Sequence, residues 1–359
     1  MSRNLTILHF NVLEKYPPAL NFISDALAQK PNFKISVITS LNNSPYQNQT
    51  FPGVKILRLG STSKNAFLRY ASYLIYNFIG TLVLLLKRPD VVLVYETLSI
   101  FPACVYSKIF PKKKIHIHYH EYISLPEKNV VSIYMRFLFK CEEKLLKKYT
   151  SSQTNEDRKV MFLKDNTQLN KQNVFVFPNM PPKSWWIDYG QIKKPWKYGK
   201  IKLVYVGTLD AETMYLEEII RWVCQHPNEL ELTLLSQDIS ESAKNLLDKY
   251  KSNSIKLKDA INYFELPMEL IKYDIGLVLY KGHNENVIYS VPNKIFEYLL
   301  CGLKVVGDNC LVSTAKLKHH NVLLISFSSM EDVIFQVKEL MTEARYVPTI
   351  EKSIINLFV

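Results

Sequence analysis

With 359 residues the chain exceeds the size at which one hydrophobic core usually keeps growing, so two domains of ordinary size are expected. A hydrophobic fraction of 47% beside 22% charged residues is that of a folded globular protein and excludes a disordered or repetitive chain. The net charge of +12 is uneven: residues 1–190 carry 25 Lys+Arg against 12 Asp+Glu, while residues 191–359 carry 20 against 21, which points the first half toward an anionic partner.

In chain order, short β-branched runs alternate with helical stretches. Leu5–Phe10, Lys34–Thr39, Val54–Leu59, Val91–Tyr95 and Ile115–Tyr119 read as strands, and Ala19–Gln29 as an amphipathic helix. Near-continuous apolar strands alternating with helices predict an α/β fold with a parallel sheet covered on both faces. From Tyr70 to Leu86 no residue is charged, and Arg69 and Lys87 flank the run. A bilayer needs about 20 apolar residues, so this segment is expected to be a buried or membrane-grazing helix and not a span. The stretch Pro178–Lys200, rich in Pro and Trp, reads as an interdomain linker. A second alternating series follows, with strands at Ile201–Val206, Glu231–Leu235, Ile255–Leu257, Ile275–Leu279, Lys304–Val306 and Val322–Ser326. Helices are expected at Tyr215–Gln225 and Asn293–Leu300, and a helical tail after Met330.

The cysteines Cys104, Cys141, Cys224, Cys301 and Cys310 are odd in number and irregularly spaced, with no CxxC pair to clamp zinc or form a redox couple. A reduced, cytoplasmic setting is expected, and the N-terminus lacks the long apolar core of a secretory signal.

The stretch most informative about chemistry runs from Tyr289 through Ser290, Val291, Pro292, Asn293, Lys294 and Glu297 to Gly302 and the strand at Lys304–Val306. If Asn293 and Lys294 open a helix, its first-turn N–H groups and positive dipole end face the crevice where α/β sheets bind ligands. Lys294 adds a full charge there, and Glu297, one turn on, can accept hydrogen bonds from two ribose hydroxyls. His116, His118 and His120 alternate and so share one strand face, but ligands two apart on one strand seldom converge tetrahedrally. His116 and His118 are therefore expected to be packed, and His120 stands at the strand's C-terminal end, where α/β sites lie. No DxD occurs; Asp210 and Glu212, the nearest approach to one, are expected in the first turn of a helix.

The run Pro292-Asn-Lys-x-Phe-Glu-Tyr298 with its following Gly and apolar strand resembles the donor-site signature of family four of the GT-B glycosyltransferases, the group-1 glycosyl transferases. Other segments are similar in the same order: Lys114–Glu121 ending in His-Glu, the helix Cys141–Lys148, Phe177-Pro-Asn179, Tyr205-Val-Gly-Thr208 and Tyr273-Asp-Ile-Gly276. The resemblance implies a GT-B fold, two Rossmann-like domains facing each other across a cleft. Residues 1–183 would form the acceptor-binding domain, 184–200 the linker, 201–339 the nucleotide-sugar domain, and a final helix at about 340–359 would cross back.

It also implies a sugar transfer from a UDP- or GDP-linked donor to a glycan or lipid-linked acceptor, with retention and without a metal or other cofactor. Such a hexosyltransferase would serve cell-surface polysaccharide or glycoconjugate synthesis. In that scheme His120, Glu121 and Lys294 are catalytic. Gly207, Thr208, Tyr289, Ser290, Pro292, Asn293, Lys294 and Glu297 bind the donor, with Glu297 on the ribose. Two positions depart from the family. Tyr289 stands where many relatives carry a glutamate near the sugar, and Thr208–Met214 lacks the arginine and lysine that meet the diphosphate. A sugar-nucleotide epimerase and a non-catalytic scaffold or glycan-binding protein are the alternatives, whereas a nucleic-acid partner is not expected. The basic first half, with Tyr70–Leu86 beside Lys112, Lys113 and Lys114, suits peripheral attachment to the inner membrane face.

Overall fold

The computed structural model describes residues 3–29, 32–41, 48–61, 65–121, 123–128, 131–182, 185, 199–317, 321–330 and 333–343. They fall in two compact units, one through Asn179 and one from Met180 onward.

The first unit is a seven-stranded parallel sheet. Its strands are β1 (Arg3–His9), β2 (Phe33–Leu41), β3 (Lys55–Ser61), β4 (Val91–Tyr95), β5 (Lys114–His118), β6 (Thr150–Gln153) and β7 (Val174–Val176), in the order β3-β2-β1-β4-β5-β6-β7. Helices α1 (Pro17–Gln29), α2 (Ala66–Lys87), α3 (Ile100–Ile109), α4 (Leu125–Lys128), α5 (Ile133–Leu146) and α6 (Glu156–Asp165) connect them. Strand residues of alternating parity are buried on opposite faces. Leu8, Val92, Val94, Ile115 and Ile117 pack with residues of α2, α3 and α5, while Leu5, Ile7, Val37 and Leu93 are equally buried on the other side. Side-chain caps fix where three helices begin: Asn65, Ser132 and Asn155 accept the backbone N–H of Leu68, Met135 and Arg158 at 3.2, 3.3 and 2.9 Å.

The second unit has six parallel strands, β8 (Ile201–Val206), β9 (Leu230–Leu235), β10 (Ile255–Lys258), β11 (Ile275–Val278), β12 (Lys304–Asp308) and β13 (Val322–Ile325), in the order β10-β9-β8-β11-β12-β13. Between them lie α7 (Leu216–Gln225), α8 (Glu241–Lys249), α9 (Leu266–Leu270), α10 (Glu285–Ile288) and α11 (Asn293–Leu300), with α12 (Val333–Thr342) after the last strand. Leu203, Tyr205, Leu277 and Val306 belong to one apolar layer and Val204, Val278 and Val305 to the other, so this sheet too is covered on both faces.

Most strands expected from the sequence lie within two residues of the observed ones. β6 is not among them: Thr-Ser-Ser-Gln has no apolar pattern, yet Ser151, Ser152 and Gln153 are buried, and the hydroxyls of Thr150 and Ser152 bond histidines of β5. Asp210 and Glu212 also differ from expectation. They stand in a turn ahead of α7, where Asp210 accepts Thr213 Oγ1 at 2.6 Å and Ser240 Oγ at 3.0 Å. Of the expected linker 184–200, only residues 185, 199 and 200 are described, and Trp185 is buried in the second unit's core, 5.0 Å from the Tyr263 ring. The expected final helix at about 340–359 lies outside the described residues from 344 onward.

One packing contact fixes α11 on its sheet. Tyr298 crosses over Gly276, donates to Leu277 O at 3.4 Å and accepts from Val206 N at 3.1 Å, tying α11 to β8 and β11 together. A Cβ on Gly276 would lie 2.1 Å from the Tyr298 ring. Gly276→Ala is therefore expected to destabilise the protein by about 3 kcal/mol through overpacking. Urea unfolding measures this, and a loss below about 1 kcal/mol would mean that the ring steps aside at little cost.

Candidate functional site

In each unit the strand order reverses beside its first strand, at β1/β4 and at β8/β11, and ligands of α/β sheets bind outside the carboxyl ends of strands at such switch points. Both switch points hold a cluster of polar side chains.

In the second unit the turn after β8 meets the start of α11. Pro292 is extended (φ −59°, ψ 141°) and no side chain caps the helix; Ile295 N donates back to Pro292 O at 3.0 Å, and the N–H groups of Asn293 and Lys294 are left for a ligand. Lys294 Nζ lies 3.2 Å from Tyr205 Oη, 4.3 Å from the Tyr205 ring centroid and 4.9 Å from that of Tyr280. Burial works against this charge, but the tyrosines around it more than offset the penalty, and Lys294 stays protonated. Tyr205, raised to about 12 by burial and by Tyr280, remains a neutral phenol; it accepts from Lys294 and donates to Thr208 O at 2.9 Å.

Gly207 adopts φ +131°, and a Cβ there would stand 3.3 Å from Lys294 Nζ; only glycine suits both the backbone and the space. Glu297, one turn into the helix, is buried, and burial raises its carboxyl to about 7 against the opposing pull of Lys294 and a Tyr263 hydrogen bond. Asn293 Oδ1 is buried with no hydrogen-bond partner among the described residues. Ser290 Oγ donates to Val287 O at 2.7 Å while Ser290 O accepts from Thr314 Oγ1 at 3.0 Å, which holds the loop before Pro292. Tyr289 closes α10, donating its N–H to Glu285 O at 3.0 Å. Lys281 does not join the cluster; its Nζ donates to Ala211 O at 3.2 Å.

In the first unit the ends of β1, β4 and β5 bring together His9, Glu96 and His120. Glu96 has φ +63° and ψ 161°, a conformation that costs a non-glycine residue about 1–3 kcal/mol. Its carboxylate offsets this cost: Oε1 accepts Tyr16 Oη at 2.7 Å, His120 N at 2.7 Å and Glu121 N at 3.0 Å. Burial, and behind it the charge of Glu121, still lifts Glu96 to about 8 despite these donors. Glu121 itself is exposed. Arg158, almost wholly buried, donates to His120 O and to Thr154 Oγ1 at 3.2 Å. Burial first, then the Arg158 charge, depresses His120 to about 3, so it is a neutral imidazole at physiological pH.

The histidines expected to be packed form a chain with it. His116 bonds Thr150 Oγ1 at 2.8 Å and Ser152 Oγ at 2.7 Å; His118 bonds the same Ser152 Oγ at 2.8 Å and Asn179 Oδ1 at 3.3 Å; the Asn179 amide nitrogen bonds His120 Nδ1. One assignment of protons satisfies every member: Thr150 to His116 Nδ1, His116 Nε2 to Ser152, Ser152 to His118 Nδ1, His118 Nε2 to Asn179 Oδ1, and Asn179 Nδ2 to His120 Nδ1. The proton of His120 then resides on Nε2, leaving it a hydrogen-bond donor. Both ring nitrogens of His116 and of His118 are thus engaged by protein atoms, and among the described residues no group of three His, Cys, Asp or Glu side chains is placed to hold a metal ion.

The sequence placed His120 and Lys294 at these two clusters but missed their supports. Glu96 carried a positional signal, an acid just past the end of a strand; Asn179 and Tyr205 lay in segments that resemble the family but had no role assigned, and Arg158 and Tyr280 carried no signal, because folding alone brings them near. Nitrogen-15 NMR should show neutral His120 as the Nε2–H tautomer from pH 6 to 8. Asn179→Asp, which only accepts, should move that proton to Nδ1; an Nδ1–H tautomer in the wild type would refute the assigned chain.

No protein-family model and no curated protein sequence matches the chain. Solved structures do. The chain is similar to an α,α-trehalose-phosphate synthase (UDP-forming) from Burkholderia vietnamiensis, with TM-score 0.66 and 13% identity over 96% of this chain and 92% of that one. It is similar to the lipopolysaccharide outer core galactosyltransferase WaaB, with TM-score 0.61 and 12% identity over 94% and 90%. A UDP-GlcNAc 2-epimerase from Methanocaldococcus jannaschii gives TM-score 0.58 and 15% identity over 95% and 94%. At these identities the likeness is one of architecture, and it agrees with the strand orders above: the two parallel-sheet units have the GT-B fold.

Proposed function

We propose that the chain is a hexosyltransferase that moves a sugar from a UDP- or GDP-linked donor to a glycan or lipid-linked acceptor, with retention, in cell-surface polysaccharide or glycoconjugate synthesis. The observation that carries this reading is the uncapped start of α11, with Lys294 held among tyrosines beside Gly207 at the β8/β11 switch point. Helix N–H groups, the dipole end and a permanent cation suit a diphosphate that gains charge as it leaves. Asn293 opens the same helix and Glu297 lies one turn on, where they would serve the phosphate and the ribose.

In this mechanism the acceptor hydroxyl attacks from the face that the diphosphate leaves, its proton passes to the departing phosphate oxygen as the sugar–phosphate bond breaks, and no protein nucleophile takes part. Lys294 stabilises the departing phosphate, and Gly207 with Thr208 lets the donor approach the end of β8. Pro292 and Ser290 set the helix entry, with Tyr289 beside them. His120, neutral and with a donor Nε2, holds a sugar or acceptor hydroxyl, and Glu121 follows it at the same strand end. The reaction proceeds without metal in this scheme, in the cytoplasm or on the inner membrane face. The likeness to UDP-GlcNAc 2-epimerase structures favours one rival, an epimerase, which would convert a nucleotide sugar in the absence of acceptor.

A thermal-shift panel of UDP and GDP sugars is the direct test. One of them should stabilise the wild type. Glu297→Ala should weaken that binding about 100-fold by deleting the ribose contacts; undiminished binding by this variant would rule out the assignment. Lys294→Met should lower kcat about 100- to 1,000-fold with a smaller change in KM.

Because the Glu297 carboxyl titrates at about 7, raised from its ordinary value by burial, it is increasingly protonated as pH falls below that point and loses acceptor capacity. Donor affinity should therefore weaken from pH 8 to pH 6 in the wild type and stay flat in Glu297→Gln. A pH-independent wild-type Kd, read by titration calorimetry, would remove Glu297 from the ribose site.

A further inference from the structure

Helix α2 has two apolar faces, and among the described residues only one of them is covered. Tyr76 and Leu84 are buried in the core of the first unit, and Gly80 lets α2 approach Pro102 of α3. The opposite stripe carries Phe67, Leu74, Phe78 and Leu86, exposed by 79, 65, 67 and 82%, a run of about 28 Å at 1.5 Å per residue. A solvent-facing helix surface is ordinarily polar, so an apolar stripe of this length marks an interaction face.

Helix α5 extends it. Tyr134 stacks on Tyr73 at 5.3 Å and accepts from the Asn77 amide, which sets Ile133, 85% exposed, and Phe137 beside the first half of α2. Phe10, just past the end of β1, packs on Tyr73 and Tyr76 at 4.6 and 5.1 Å. The turns of α2 before Tyr73 therefore project past the C-terminal edge of the sheet, the edge that holds Glu96 and His120.

Charge decides what covers this face. Exposed bases lie on the same three helices, Arg88 at the end of α2, Lys108 on α3 and Arg136, Lys140 and Lys144 on α5, and neither α2 nor α3 contains an acid; Lys87 is turned to the covered side, its Nζ 3.3 Å from Ser36 Oγ of β2. On α5, Glu142 is buried against Thr97 at 2.6 Å and Glu143 pairs with Lys147 at 2.6 Å. A two-fold contact with a second copy would set these bases against their own copies. An apolar stripe accompanied by bases is the pattern of a helix lying in the interface of an anionic bilayer. Length and composition alone would permit α2 to cross the bilayer. Its ends, however, join β3 and β4 of one sheet, and crossing would strip Tyr76 and Leu84 from the core.

We infer that α2 and the start of α5 form a membrane-docking face that seats the first unit in the plane of an anionic lipid surface, with the His120 edge turned to lipid-borne molecules. This rests on the transferase reading only for what the surface would deliver, a lipid-linked acceptor.

Flotation of the full chain with phosphatidylcholine vesicles, with and without phosphatidylglycerol, tests it. The wild type should bind the anionic vesicles at least about tenfold more tightly than the neutral ones, and the triple variant Phe67→Glu, Leu74→Glu, Phe78→Glu should lose about tenfold or more on the anionic ones. These side chains are exposed, so the variant should keep the wild-type Tm and far-UV spectrum; if it unfolds, Lys108→Glu with Lys140→Glu and Lys144→Glu reads the same preference. Equal flotation of wild type and variant, or no flotation of either, overturns the proposal. So does a dimer, seen by sedimentation velocity, that the triple variant dissolves while lipid binding is nil, or resistance to alkaline extraction, which would mean a span. Donor thermal shifts run on the same samples separate a failure of docking from a failure of the transferase reading.

Discussion

A parallel sheet whose strand order reverses cannot close its own carboxyl edge. The connections from the two strands at the reversal leave toward opposite faces, and the space between them is lined by whatever the strand ends and the next helix supply. In this chain the reversal occurs twice, beside β1 and beside β8, and both clusters of buried polar groups sit on it. Gly207, Tyr205 and Lys294 gather at one reversal for the same topological reason that Glu96 and His120 gather at the other.

The two clusters hold charge in different ways. In the second unit a single cation is kept out of bulk water by aromatic rings and phenol oxygens, and the uncapped α11 adds partial positive charge from the backbone. The result is a corner of positive potential built around one lysine. In the first unit, burial drives His9, His116, His118 and His120 to the neutral form, and it draws Glu96 upward as well. That corner offers oriented hydrogen-bond donors and acceptors, which suits hydroxyl groups better than phosphates. An acid held at an unfavourable backbone geometry by three donors is consistent with a position shaped for function.

The polar strand β6 links these themes. Its Thr150 and Ser152 look like loop residues by composition, and their hydroxyls complete a chain that ends at His120. A hydrogen-bond network fully satisfied in a low-dielectric interior is stiff, and it selects one tautomer at its free end. The face formed by α2 and α5 is the opposite case, apolar surface without a covering partner among the described residues.

By itself the sequence determined the alternating strands and helices, the α/β class and the helix opening at Asn293, because these depend on local periodicity, propensity and a proline stop. It also placed Lys294 and Glu297 one turn apart and His120 at a strand end. Tertiary structure alone decided that Tyr205 and Tyr280 enclose Lys294, that Glu96 anchors the His120 loop, and that Arg158 and Asn179 reach it across 38 and 59 residues of chain. It also moved Asp210 from a helix start into a turn and left one side of an apolar helix bare. Contacts of that kind follow from which strands pair and which helix faces cover them, and the pairing reflects free energy summed over whole layers, beyond what any short window of residues encodes.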